Sequence, residues 1–552
     1  MGRSVTADTS ADQSISDGFA PPVTPTQEFR ILRALRSRHE VRTTATRDWA
    51  AFVVTGTAAT LSLLACVYFF RQHLLLGYHD TYAHLEISRR VLTGRTTGIA
   101  QLGTIWLPVP HMLQALFAWN STLYLSGLAG AFVSMASFVG CSTLIYRIAR
   151  IFSPQRSWPA VAAASVFMTN PNLLYHQTTA MDELPFLVFA LAATYRLIQW
   201  ATTSRATLLL EAAIATMLAM LCRYEGWFLA GVFTIVVLVV ARRSGHTWRD
   251  VRGLTGMFAA FGVLTASSGW LFYNLLITGN PLNFLYGPNS SADQMAQRHT
   301  DVAIGSWSTT VRAYTGALLA DHGITILVAA AAGLVVFVLI ERGSNRSLPV
   351  LALSTIIPFY LFIIERGQAP IEVPPVNPSL LNLRFGLIAA LPAALLIGYL
   401  LSRLPARLAV IASIVVTVAA TSISAATFRS HDLVTVAEVK LHLIDQESQT
   451  DVGDFLARQT SGPILLNLVG NERLAFPVID RVIYEGTRDG RVNVWSSALR
   501  DPRTVGATIV VMRASGKKRA DDVYTALHDS PAMAAYHEVY ANGDFKIYQL
   551  TA

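Results

Sequence analysis

The chain has 552 residues, of which 52% are hydrophobic and 14% are charged, and its formal net charge is +8. Because an average soluble domain has about 25% charged residues, this composition excludes an ordinary soluble protein and favours a protein embedded in lipid. The positive charge does not indicate nucleic-acid binding, since most arginines lie at the ends of apolar runs and not along one face.

Residues 1–47 form the first predicted segment. They are rich in Ser, Thr, Asp and Pro, and they become basic between Arg30 and Arg47. A polar segment of this kind buries too little apolar surface to fold alone, and a basic end is typical of the cytoplasmic side of a membrane. We therefore predict a flexible cytoplasmic N-terminal tail.

Long apolar runs follow between residues 48 and 427. One helical crossing of a bilayer requires about 20 apolar residues. The candidate spans are 48–70, 121–147, 158–171, 183–199, 207–222, 226–241, 253–277, 322–340, 348–364, 383–401 and 407–427. We predict a polytopic transmembrane domain over 48–427 with about eleven α-helical spans, of which the third to sixth are short for a bilayer.

The arginines of the connecting loops predict the orientation of these spans. Alternate loops are basic, and they hold Arg147, Arg150 and Arg156, then Arg205, then Arg242, Arg243, Arg249 and Arg252, then Arg342 and Arg346, and finally Arg403 and Arg407. Basic loops remain in the cytoplasm, so the N-terminus is predicted to be cytoplasmic in a multi-pass protein of the cell (inner) membrane. An odd number of spans then places the C-terminal segment outside.

The last segment, 428–552, has a different pattern. Short β-rich runs occur at 463–469, 481–485, 508–513 and 545–550, and helical patterns at 451–459 and 521–528 lie between them. Short strands that alternate with helices are typical of an α/β domain. We predict a small soluble extracytoplasmic α/β domain over 428–552.

The first candidate site lies in the long loop after the first span. This loop contains the run Gly77-Tyr-His-Asp-Thr-Tyr-Ala-His-Leu-Glu86. If Asp80 opens a short helix, a carboxylate there is favoured by the free amide groups, and His84 lies one turn later on the same face. Asp80 is then either a helix cap or a functional carboxylate. A divalent cation, Mg²⁺ or Mn²⁺, bound by Asp80 and His84 is a further alternative.

Two more polar segments lie on the predicted outer face. Asp182 and Glu183 stand side by side at the start of the fourth span, and Arg223, Glu225 and Trp227 lie in a hinge between two apolar runs. Ionisable groups at a membrane boundary are costly unless they cap a helix or face a cavity. The alternatives are plain capping and, at the hinge, a turn with an interfacial aromatic side chain.

Arg384, at the start of the tenth predicted span, is the fourth candidate. An arginine at a helix N-terminus opposes the helix dipole, and this one lies on the side with fewer basic residues. An anionic ligand such as a phosphate would remove both penalties. The alternative is a side chain that snorkels to the membrane surface.

Taken together, these segments resemble the GT-C class of membrane glycosyltransferases, in particular bacterial members similar to protein O-mannosyltransferases and aminoarabinose transferases. The motifs are His79-Asp80, Met181-Asp182-Glu183, Arg-Tyr-Glu-Gly-Trp at 223–227, and Gly-Asn-Pro-Leu-Asn-Phe-Leu-Tyr-Gly-Pro at 279–288. The resemblance spans most of the membrane region. Many relatives have two acidic residues in the first loop, whereas here a histidine precedes a single aspartate.

The resemblance implies transfer of a sugar from a polyprenyl-phosphate donor to an acceptor hydroxyl on the outer face, with inversion. Asp80 would be the general base, and Arg384, with Arg223, would stabilise the phosphate leaving group. The candidate substrate-binding residues are His84, Trp106, His111, Asp182, Glu183, Arg223, Glu225, Trp227 and Arg384. The implied partners are the lipid-linked donor, a saccharide, lipid or protein acceptor, and membrane lipids, without nucleic acid.

Two other functions are compatible with the same pattern. A lipid-linked saccharide transporter or flippase also places charged groups at broken helices. However, the sequence has no internal repeat, and its polar residues cluster at one membrane face and not at the midplane, which favours an enzyme. A non-catalytic membrane scaffold is the third reading.

Overall fold

The computed structural model describes residues 48–288, 290, 292–293, 303–374, 376–443, 447–489, 492–514 and 521–551. The tail predicted over 1–47 lies outside the described residues. Residues Ala50–Ala552 belong to one compact unit.

The first part of the chain is almost entirely helical. Its helices are α1 (Trp49–Arg71), α2 (His79–Thr93), α3 (Pro108–Ala118), α4 (Ser121–Leu125), α5 (Leu128–Phe152), α6 (Trp158–Met168), α7 (Pro171–His176), α8 (Glu183–Thr203), α9 (Ala206–Met220), α10 (Glu225–Arg243), α11 (Trp248–Thr278), α12 (Asn283–Tyr286), α13 (Trp307–Glu341), α14 (Leu348–Glu365), α15 (Leu383–Ser402) and α16 (Ala406–Ser430). Each predicted span is therefore helical, and the span predicted over 121–147 is divided between α4 and α5.

Within the described ranges, nine helices are long and apolar enough to cross a membrane. They are α1, α5, α8, α10, α11, α13, α14, α15 and α16, the last counted together with the helix that follows it. The two other predicted spans, 158–171 and 207–222, are the shorter apolar helices α6 and α9. The prediction of a polytopic helical membrane protein is confirmed.

Local sequence explains where α6 ends. Pro171 cannot continue that helix, and it occupies the first position of α7, where a missing amide costs nothing. The side chain of Asn170 caps α7 by accepting a hydrogen bond from the Leu173 amide at 3.0 Å. The prediction for α13 was too short, because the helix starts at Trp307 and continues through a kink at Gly323 (φ 74°, ψ 154°).

Close helix contacts hold the segment that leads to Asp182. A Cβ atom on Gly130 of α5 would lie only 2.1 Å from Cβ of Ala180, so this approach requires glycine. The Ser134 hydroxyl donates to the Thr179 carbonyl at 2.8 Å, and the Gln114 side chain donates to the Ala180 carbonyl at 2.9 Å. Two helices thus fix the backbone before Asp182.

The C-terminal region, residues 434–551, contains the predicted α/β elements. In chain order they are α17 (Val434–Leu443), α18 (Glu447–Gln459), β1 (Ile464–Leu465), α19 (Glu472–Ala475), β2 (Val482–Ile483), β3 (Arg488–Asp489), β4 (Val492–Asn493), α20 (Trp495–Ala498), β5 (Ile509–Arg513), α21 (Asp522–Leu527), β6 (Tyr536–Ala541) and β7 (Phe545–Leu550). The small α/β region is confirmed, although α16 extends to Ser430, past the predicted boundary at 427/428.

A mixed sheet forms the centre of this region. In the described residues it has five strands in the order β2-β1-β5-β7-β6, with β2, β1 and β5 parallel and β7 antiparallel to both neighbours. Strand β6 was missed because only the first of its six residues, Tyr536, is buried, so it has no strong apolar pattern. One buried cluster includes Tyr82 and Leu85 of α2 together with Phe476 and Ile479, so the region packs on the loop after α1.

Candidate active site

Asp80 lies in the first turn of α2, and Tyr78 occupies the cap position without a side-chain cap bond. The reading of Asp80 as a helix cap is therefore wrong. Its Oδ2 atom accepts a hydrogen bond from Nη2 of Arg384 at 2.6 Å. Burial is the largest single effect and acts to raise the pKa of Asp80, but the Arg384 guanidinium, with smaller contributions from His84 and His79, outweighs it, so the pKa lies below its ordinary value. The carboxylate is ionised at neutral pH.

Arg384 joins Asp80 to the second acidic motif. It lies in the 3₁₀ turn Leu383–Ala389 that opens α15, and only 8% of it is exposed. Its Nε atom is 3.5 Å from Oε1 of Glu183, and its guanidinium lies over the rings of Tyr78 and Phe385. The arginine is therefore held inside the protein and does not snorkel to the surface.

Arg223 is surrounded by three carboxylates. It donates through Nη1 to Asp182 and, at 2.9 Å, to Oε1 of Glu183, and through Nη2 to Oε1 of Glu225 at 2.7 Å. Glu225 also accepts a hydrogen bond from the hydroxyl of Tyr360. The acidic motif before α8 and the hinge before α10, predicted as separate outer segments, thus form one ionic network.

Glu183 is the centre of this network. Besides its contacts with both arginines, its Oε2 atom is 2.9 Å from Nε2 of His176, and both side chains are buried. Asp182 occupies the cap position of α8 but makes no cap bond. Burial raises the pKa of Asp182 to about 7, because the charges of Glu183 and Glu225 add to that rise and Arg223 only partly offsets it.

The network is rich in acid. Its described side chains include the two guanidinium groups of Arg223 and Arg384 and four carboxyl groups, those of Asp80, Asp182, Glu183 and Glu225. A buried excess of negative charge is costly. The Asp182 carboxyl, with its raised pKa, takes up a proton most readily.

His84, His111 and Trp106 form a second group beside Asp80. Nδ1 of His84 is 2.8 Å from Nε2 of His111, and the ring centroids of His84 and Trp106 are 4.6 Å apart. Burial lowers the pKa of His84 to about 4 and that of His111 well below its ordinary value. Both rings are therefore neutral at pH 7, and one of them donates its N–H to the other.

Trp227 lies in a different cluster. Its indole nitrogen donates to the Met220 carbonyl at 3.0 Å, and its ring packs against Tyr224 and Phe284. Tyr224 and Phe284 stack with centroids 5.3 Å apart, which connects the hinge to the Gly-Asn-Pro-Leu-Asn segment after α11. Trp227 supports the hinge that carries Arg223.

The side chains do not fit the predicted metal site. Nowhere in the described ranges is a group of three or more His, Cys, Asp or Glu side chains placed to hold a metal ion. Asp80 contacts Arg384, and His84 contacts His111, so both proposed ligands are engaged with protein partners.

Sequence reasoning missed two members of the network. His176 precedes Glu183 by seven residues, and this short spacing before an acidic pair was the available signal. Tyr360 lies within the apolar run of α14, where nothing in the sequence distinguishes its side chain from the lipid-facing or core-facing ones around it.

No protein-family model matches the chain, and no curated protein matches it. Among solved structures, it is similar to ArnT from Cupriavidus metallidurans bound to undecaprenyl phosphate, with a TM-score of 0.54 and 15% identity over 91% of this chain and 98% of that chain. The apo state of the same ArnT gives a TM-score of 0.50 and 14% identity, over 89% of this chain and 98% of that chain.

A third similar structure is the archaeal oligosaccharyltransferase AglB from Archaeoglobus fulgidus in complex with an inhibitory peptide and a dolichol-phosphate. The TM-score is 0.50 and the identity 12%, over 92% of this chain and 75% of that chain. In both proteins the likeness extends over most of the helical region and the C-terminal region together.

Proposed function

Because the chain has the fold of the GT-C membrane glycosyltransferases, we propose that it transfers a sugar from a polyprenyl-phosphate donor to an acceptor hydroxyl. The contact of Asp80 with Arg384 carries this proposal, since it places a carboxylate base 2.6 Å from a buried cation. A base and a phosphate-binding cation are the two groups that this transfer requires. The bound undecaprenyl phosphate of ArnT and dolichol-phosphate of AglB support the same donor class.

Asp80 acts on the oxygen that attacks the reacting carbon, and Arg384 acts on the phosphate oxygen that leaves it. A guanidinium group has five N–H donors, so Arg384 keeps its bond to Asp80 while other donors bind the phosphate. Asp80 accepts the proton of the acceptor hydroxyl as that oxygen bonds to the anomeric carbon. The bond from this carbon to the phosphate oxygen breaks, its electrons pass to the phosphate, and the configuration inverts.

The other residues of the network orient Asp80 and Arg384, balance their charges and bind the substrates. Arg223 is occupied by three carboxylates, so we assign phosphate binding to Arg384 and charge balance to Arg223. Glu183 orients Arg384, and Asp182 and Glu225 bind sugar or acceptor hydroxyls. The ring of Trp106, beside His84, is a stacking surface for the transferred sugar, and His84 and His111 line that subsite.

The activity test uses the purified full-length protein in proteoliposomes. Radiolabelled undecaprenyl-phosphate sugars are supplied with a panel of envelope saccharides, lipids and peptides, and the label is expected to move from lipid to an acceptor. If the label crosses the bilayer while still attached to its lipid, the protein is a flippase. If the lipid binds but no sugar is transferred, the protein is a non-catalytic scaffold.

The orientation is a separate prediction. From the basic loops we predict that the N-terminus lies in the cytoplasm of a bacterial inner-membrane protein and that the C-terminal region, with the Asp80 site, lies outside. An alkaline-phosphatase fusion at the C-terminus should be active, and a fluorescent cytoplasmic reporter there should be dark. The reverse pattern would invert the topology and move the site to the cytoplasmic face.

Replacing Arg384 with glutamine should weaken donor use more than acceptor use. A hydrogen bond to a charged group contributes roughly 1.5–3 kcal/mol, so the donor KM should rise by roughly 10- to 100-fold. Lysine should restore part of the loss, because it keeps the charge but not the forked geometry.

Arg366→Gln is the matched control for Arg384→Gln, because Arg366 directly follows α14 and 65% of its side chain is exposed. It should leave the donor KM unchanged. If Arg384→Gln also leaves donor KM and turnover unchanged, Arg384 does not bind the phosphate.

A further inference from the structure

Helix α2 presents two different stripes of side chains. Asp80 and His84, one turn apart, face the candidate active site. A second stripe contacts the C-terminal region and contains His79, Tyr82, Arg89, Arg90 and Thr93. Because the two stripes point in largely opposite directions, the C-terminal region packs on the back of the helix that carries the proposed base.

Asp480 makes the densest contact with this second stripe. Arg89 donates through Nε to both carboxylate oxygens of Asp480 at 3.1 Å and through Nη2 to Oδ2 at 2.6 Å. The Thr93 hydroxyl donates to Oδ1 at 2.8 Å. Forked pairs of this kind fix orientation as well as distance. One carboxylate therefore holds the last two turns of α2.

Arg89 extends this contact to a third segment. Its Nη1 atom donates to the carbonyls of Ala118 at 3.0 Å and Trp119 at 3.3 Å, and Nη2 donates to Ser121 at 3.2 Å. These residues lie at the turn between α3 and α4. The position of α2 is thus tied at once to that turn and to the C-terminal region.

The same surface also holds the first turn of α2. Nε2 of His79 is 2.9 Å from Oε2 of Glu472, and His79 directly precedes Asp80. Tyr82 packs edge-on against Phe476 with ring centroids 4.9 Å apart. Contacts at both ends leave α2 little freedom to shift along or around its axis.

We propose that the C-terminal region positions Asp80 by holding α2 in place. Asp480 is the positioning residue in this contact. The inference rests on the proposed role of Asp80 as the base. A displacement of about 1 Å in a catalytic group costs on the order of 10²-fold in rate. Asp480 touches no reacting atom and acts through Arg89 and the helix.

Loss of the Asp480 side chain should leave the fold intact. Its side chain is 36% exposed, and without it Arg89 keeps its hydrogen bonds to the Ala118 and Trp119 carbonyls and to Ser121. Asp501 offers a matched control, because it forms a similar pair with Arg503 at 2.8 Å in the same region without touching α2. Asp480→Ala and Asp501→Ala thus each remove a carboxylate that is paired with an arginine, but only the first removes it from a contact with α2.

Two measurements on the full-length protein test the proposal. Hydrogen exchange over residues 79–93 should be faster in Asp480→Ala than in the unsubstituted protein or in Asp501→Ala. In transfer assays, kcat should fall by roughly 10-fold or more, with the donor KM within about twofold of the original value. Asp480→Glu, which keeps the charge, should recover most of the turnover. Thr93→Val, which removes one bond to Asp480, should show a smaller change in the same direction and replaces Asp480→Ala if that variant does not fold.

The outcomes separate this inference from the proposed function. Unchanged exchange over 79–93 in Asp480→Ala overturns the positioning role, whatever the activity. Faster exchange with unchanged kcat, or a rise confined to KM, overturns it as well. If the unsubstituted protein transfers no sugar from any donor, the proposed function fails, while the exchange experiment still reports whether Asp480 holds α2.

Discussion

Replacing Asp80 with asparagine is expected to lower sugar transfer by roughly 10²-fold or more, the usual contribution of a positioned general base. Asparagine has nearly the same shape and still accepts a hydrogen bond from Arg384 through its side-chain oxygen, so α2 should keep its place. It cannot take the proton of the acceptor hydroxyl. The variant should therefore insert into membranes, extract and melt like the original protein while turnover falls.

A second carboxylate serves as the control for Asp80. Asp432 is exposed after α16, and Asp432→Asn should transfer sugar at the original rate. Near-normal transfer by Asp80→Asn would move the base to Asp182, Glu183 or Glu225. A rise in donor KM without a fall in kcat would instead mean that Asp80 mainly orients Arg384.

Replacing Arg223 with methionine is expected to produce the largest loss of stability. Methionine has a similar length but leaves Asp182, Glu183 and Glu225 buried without their shared cation. Removal of one partner from a buried ion pair costs about 3–5 kcal/mol. The variant should show a clearly lower Tm in detergent, whereas Arg366→Gln should melt like the original protein.

The decrease in Tm caused by Arg223→Met should be smaller at low pH than at high pH. The pKa of Asp182 is already raised by burial from 3.8 to about 7, so between these values the folded protein binds more protons than the unfolded chain. Stability from this group is therefore greatest at low pH and is lost as pH rises through that range. Without Arg223 the network takes up protons more readily, and the Tm deficit should be smaller at pH 5 than at pH 8. A deficit that is constant with pH would contradict the charge-balance role.

The fold was largely predictable because a backbone surrounded by lipid must satisfy all its hydrogen bonds within the protein. An apolar run must satisfy its own backbone groups as a helix, so each predicted span is helical in the structure. The GT-C resemblance rested on short motifs and is confirmed at the level of fold. The transporter and scaffold readings gain no support from the similar structures.

The pairing within the site was not predictable. Asp80 and Arg384 are 304 positions apart, and the sequence has no signal that joins them. It also suggested that Arg223 and Arg384 share the phosphate, whereas Arg223 is surrounded by carboxylates. These contacts depend on how α2, α8, α10 and α15 pack, and no local pattern encodes that packing.

His79 shows the same limit in a different way. From the sequence it was only a departure from the expected pattern of two adjacent acids in the first loop. In the structure its partner, Glu472, comes from the C-terminal region, 2.9 Å away. The histidine therefore serves a contact between regions, which a motif confined to the loop cannot reveal.

The two stripes of α2 determine which segments must be exchanged together when proteins of this fold are recombined. A chimera that takes its C-terminal region from a relative would keep Asp80 and His84 but would lose the fit of His79, Arg89 and Thr93 to Glu472 and Asp480. The second stripe of α2 must therefore be transplanted together with the C-terminal region, while the first stripe remains with the helical bundle. The two faces of this one fifteen-residue helix therefore belong to different exchangeable parts of the protein. A chimera must divide α2 by its faces and not at a single position in the chain.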